Sequence, residues 1–71
     1  MRDAWGEVTD KEIWAVANHV LTQHGDQGGR VFIAARIGEL AVRGDAAGIA
    51  TWRLIAARFE SIGAASHQAI Q

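Results

Sequence analysis

Cysteine and proline are both absent from this 71-residue chain, and tyrosine is absent as well. Without cysteine there can be no disulfide framework and no thiolate metal site. Without proline, nothing removes a backbone donor from a helix interior. Excess positive charge is missing too. The formal net charge is -1 and the pI is near 6.2, which argues against a nucleic-acid surface. No apolar run approaches the ~20 residues that span a bilayer. Met1–Val8 lacks the apolar stretch of a secretion signal, so a cytoplasmic setting with no membrane contact is expected. What remains is 49% hydrophobic and 21% charged, a balance that suits a folded domain.

The clearest pattern lies near the C-terminal end. Ile49, Trp52, Ile55, Ala56, Phe59 and Ile62 recur at steps of three and four, which gathers them on one stripe of a helix. Gly44 and Asp45 precede that helix. The glycine can close the preceding helix in the left-handed conformation, and the aspartate can cap the next. So short a link predicts an antiparallel helical hairpin.

The preceding helix is expected over Gly29–Arg43. Ile33, Ile37, Leu40 and Ala41 make one apolar face, and Val31, Ala35, Gly38 and Val42 a second beside it. A helix apolar over most of its girth is usually covered on more than one side. This points to a neighbour on each face, or to a second subunit.

Earlier still, Thr9-Asp10-Lys11-Glu12 reads as a capping box, with Val8 and Ile13 at the staple positions. Ile13, Trp14, Ala17, Val20 and Leu21 follow on one face, and Gly25 supplies a stop. A first helix over Asp10–His24 is therefore expected, with His24 bonded to a carbonyl at its end. The Gly28-Gly29 pair reads as a loop, since each glycine costs a helix ~1 kcal/mol relative to alanine. Together these patterns predict an all-α fold: a small three-helix bundle over residues 9–62, built on the C-terminal hairpin. Residues 1–8 form a lead-in whose Trp5 folds back over the bundle, and residues 63–71 form a tail or a frayed extension.

Chemistry is hard to place on this chain. His19 and His24 fall on different sides of a helix, and no His-Glu-x-x-His pair exists. Glu12, His19 and Gln23 share an outer, solvated face. Ser61, Ser66 and His67 carry no nucleophile-elbow motif. No catalytic, cofactor or metal residue is therefore assigned, no small-molecule substrate is evident, and the chain is not expected to be an enzyme.

Two surfaces stand out as partner-binding candidates. One is Phe32, Arg36, Glu39 and Arg43 on the edge of the middle helix, its bland explanation being an internal Glu39–Arg43 pair. The other is a shallow apolar strip on the back of the last helix that includes Ala50 and Leu54. The expected function is a protein–protein interaction module, either a homodimer or a small subunit that packs on another helical protein. A small domain rarely gains much net stability from one core, which favours association. The alternative is a small nucleic-acid-binding regulator using Arg36 and Arg43.

The elements Glu12-Ile13-Trp14-Ala15, His24-Gly25-Asp26, Ala35-Arg36-Ile37, Gly44-Asp45-Ala46-Ala47-Gly48 and Trp52-Arg53-x-Ile55 resemble a family of very small uncharacterised alphaproteobacterial proteins. The resemblance covers about Thr9 to Ile62, with Gly28-Gly29 as a departure. It implies a helical domain in a bacterial cytoplasm and carries no activity.

Overall fold

The computed structural model describes residues 8–70, with side chains described through Ala65. Trp5 lies outside the described residues, as does the His67 side chain. Two helices fill the described residues, α1 over Asp10–Arg43 and α2 over Ala46–Ile70, with no strand among them.

The start and end of α1 and the start of α2 follow from their local chemistry. The Thr9 hydroxyl accepts from the Glu12 N–H at 3.2 Å, and the Glu12 carboxylate accepts from the Thr9 N–H at 2.9 Å. Each bond satisfies a donor that a helix start leaves free. At the other end Gly44 adopts φ 73°. Its N–H donates to the Ala41 carbonyl at 3.0 Å, and the Asp45 N–H donates to that of Leu40 at 2.9 Å. This is a Schellman closure. Asp45 then caps α2, its Oδ1 accepting from the Gly48 N–H at 2.9 Å.

The expected three-helix bundle is corrected to a hairpin of two helices. No loop separates residues 24 and 29: Asp26–Gly29 is helical, and only Gly25 departs from helical dihedral angles, with φ 76° and ψ -177°. Packing explains why the glycine pair stays helical. Gly29 is buried, and a side chain there would run into Phe59 and Val20. The tertiary contact outweighs the weak propensity.

Gly25 bends α1 sharply. On a straight helix Asp10 and Arg30 would stand ~30 Å apart along the axis. Yet Asp10 meets Arg58 at 3.4 Å and Arg30 meets Glu60 at 3.0 Å, two partners only two residues apart on α2. The N-terminal arm of α1 (residues 10–24) therefore returns alongside the hairpin, and both parts of α1 serve the same stretch of α2.

The core sits between these parts. Ile13, Ala17 and Val20 come from the arm, Ile33 and Leu40 from residues 26–43, and Trp52, Ile55 and Phe59 from α2. Val8, Val16, Leu21, Ile37, Ile49, Ala56 and Ile62 pack around them. The expected stripe of α2 is thus the inner wall of the core. Two expected core residues are not buried. Trp14 is 39% exposed because it serves as a plate for the Arg58 guanidinium, 5.2 Å above its ring. Ala41 is exposed beside the hairpin turn.

Candidate functional site

Of the residues singled out on the edge of α1, Phe32, Arg36 and Glu39 gather around Trp52, and Arg43 does not join them. The Phe32 ring stacks on His24 at 4.5 Å and meets Trp52 edge-on at 6.1 Å. Arg36 lies 5.9 Å over the Trp52 ring and pairs with Glu39 at 3.1 Å. Glu39 thus takes Arg36 as its partner, where Arg43 was expected, and Arg43 occupies the last turn of α1. His24 belongs to this cluster by ring stacking, which corrects its expected role of bonding a carbonyl. The bend at Gly25 carries His24 back over Phe32, eight residues on. A sequence reading that places a stop at Gly25 holds part of this signal, but the direction of the turn is not written locally. Ala50 and Leu54 are exposed and sit on the side of α2 away from Trp52. They do not join the Phe32 cluster.

A different surface is more conspicuous. Val31, Ala35, Gly38 and Val42 share the side of α1 opposite Ile33 and Leu40, with Ala34 and Ala41 on the flank between. They cover ~120° of the helix with no charge among them. Val42 is 89% exposed and Val31 70%. Nothing among the described residues covers this second apolar face. Gly38 adds to the oddity: a Cβ there would meet nothing within 4 Å, so no contact among the described residues requires a glycine in mid-helix, where it costs ~1 kcal/mol.

An apolar groove opens beside this face. It holds about 220 Å³ and is lined by Arg30, Ile33, Ala34, Ile37, Ala56, Phe59 and Glu60. The packing explains its position. Two antiparallel helices leave a furrow on each flank. The arm of α1 fills one with Ile13, Ala17 and Val20, and the other stays open. Its floor is hydrocarbon, and its two charged side chains pair with each other at 3.0 Å. It is smaller than the ~300 Å³ or more of usual ligand pockets. Ser61, weighed as a nucleophile, donates its hydroxyl to the Ala57 carbonyl at 3.1 Å. Among the described residues no three His, Cys, Asp or Glu side chains gather as metal ligands, and no helix is long and apolar enough to cross a membrane.

No curated protein matches the chain, and no solved structure matches it. A family model does, described as "Family of unknown function (DUF6961)", over residues 9–67. That span runs from the N-cap of α1 almost to the end of α2, and on it the chain belongs to this family of unknown function.

Proposed function

We propose that this chain is a non-enzymatic protein–protein interaction module, acting through the uncharged side of α1 and the groove beside it. One observation carries the reading: two valines exposed at 70% and 89% on a helix side without a charge, next to an open apolar furrow. Monomeric surfaces rarely keep contiguous apolar area of this kind free. Arg36, which a nucleic-acid reading would aim at phosphate, is turned onto Trp52 and Glu39, so the protein reading is favoured. The likeness to small alphaproteobacterial proteins supports a bacterial cytoplasm as its setting.

Site-specific photo-cross-linking tests the reading. A photoreactive residue at Val42 is expected to yield a covalent protein adduct in host cells. The same residue at Thr22, exposed on the arm, is expected to yield none. No adduct from Val42 rejects the interaction reading.

A further inference from the structure

We propose that the occupant of this surface is a second copy of the chain, packed two-fold so that α1 of one copy runs antiparallel to α1 of the other. The inference rests on the interaction reading above and names its partner.

A two-fold interface requires a surface complementary to itself, and this one is. Val31, Ala35, Gly38 and Val42 are spaced by four, three and four residues. The strip reads large, small, small, large in either direction. Reversing a copy sets Val31 against Val42 and Ala35 against Gly38, with the small residues at the centre, where two backbones come closest. This accounts for Gly38, where a side chain would meet nothing among the described residues.

Charge agrees with the antiparallel direction. Arg30 lies on one flank of the strip and Arg43 on the other. Reversal keeps like arginines on each flank ~20 Å apart along the axis, beyond the ~8–10 Å over which exposed charges act at ordinary salt.

Area decides how much of the surface takes part. Residues 26–43 run ~27 Å, and a strip one helix wide covers only ~270 Å² per copy, against the ~800 Å² of a standard interface. Including the groove, with Ile37 and Ala56 along its edge, doubles the width. The total then reaches ~1,100 Å², close to the ~1,200 Å² at the small end of specific interfaces. The hairpins therefore meet groove side to groove side, and the dimer is reversible, forming as concentration rises.

Sedimentation equilibrium of the full chain tests this. The average mass is expected to climb from 7.6 kDa toward twice that value at high micromolar concentration. Gly38→Leu and Val42→Glu are each expected to hold the mass at the single-chain value while leaving the circular dichroism of the helices unchanged. A wild-type chain that stays monomeric, or a Gly38→Leu chain that associates as the wild type does, overturns the proposal. A monomer that still forms Val42 adducts with another protein overturns it and leaves the interaction reading standing; a monomer without adducts overturns both.

Discussion

The Phe59 ring occupies the space that a side chain at residue 29 would need, so a glycine is what lets α1 and α2 share one core at that level. Two glycines of the same helix stretch therefore respond oppositely to alanine. Gly29→Ala forces a ring that is 1% exposed out of its place and is expected to destabilise the fold by ~1–3 kcal/mol. Gly38→Ala meets open space and is expected to stabilise the single chain by up to ~1 kcal/mol. Urea midpoints at low protein concentration measure both, and shifts of the same sign would contradict this account.

The bend at Gly25 depends on a backbone conformation that essentially only glycine occupies. With φ 76° and ψ -177°, an alanine there costs ~1–3 kcal/mol. Gly25→Ala is expected to loosen the arm before the hairpin. Hydrogen exchange would then show faster amides at residues 13–20, with those at 52–59 slowed nearly as in the wild type. Unchanged exchange across the arm would mean that the bend tolerates a side chain.

Acid is expected to weaken the start of α1. The backbone N–H of Thr9, then its hydroxyl, bond the Glu12 carboxylate and hold its pKa below the ordinary 4.5. A carboxylate whose pKa falls on folding contributes stability that is complete above its unfolded value and disappears as pH drops through the folded one. Glu12→Gln, which has no carboxyl to titrate, is therefore expected to flatten the decline below about pH 4.5. An acid decline as steep in the variant as in the wild type would contradict this.

The core stripe of α2 predicts a large effect from a single truncation. Trp52→Ala, at a residue 7% exposed, is expected to cost ~3–5 kcal/mol. A loss under ~1 kcal/mol in urea unfolding would mean that the site collapses around the missing ring or that the stripe contributes little.

The parts of this fold legible in the sequence are those whose causes lie within one helical turn. The Thr9–Glu12 box, the Gly44-Asp45 link and the Trp52–Ile55–Phe59 stripe all carry their explanation in neighbouring residues. The illegible parts have distant causes. Gly28-Gly29 looks like a loop because the Phe59 ring that excludes a side chain at 29 lies thirty residues away. Trp14 looks like core until Arg58 is seen over its ring. The candidate surface divides the same way. The doubly apolar character of residues 31–42 is plain from spacing. The pairing of Arg36 with Glu39, and the stacking of Phe32 on His24, depend on where the arm comes to rest.

The bend at a single residue and the two-residue link at Gly44-Asp45 also bear on kinetics. Bringing either pair of segments together closes almost no loop, so little chain entropy is lost before contacts form. Helical proteins with such short-range topology fold in microseconds to milliseconds. With no proline in the chain, no prolyl isomerisation of tens of seconds can delay a fraction of the molecules, and refolding from denaturant is expected to be a single fast exponential.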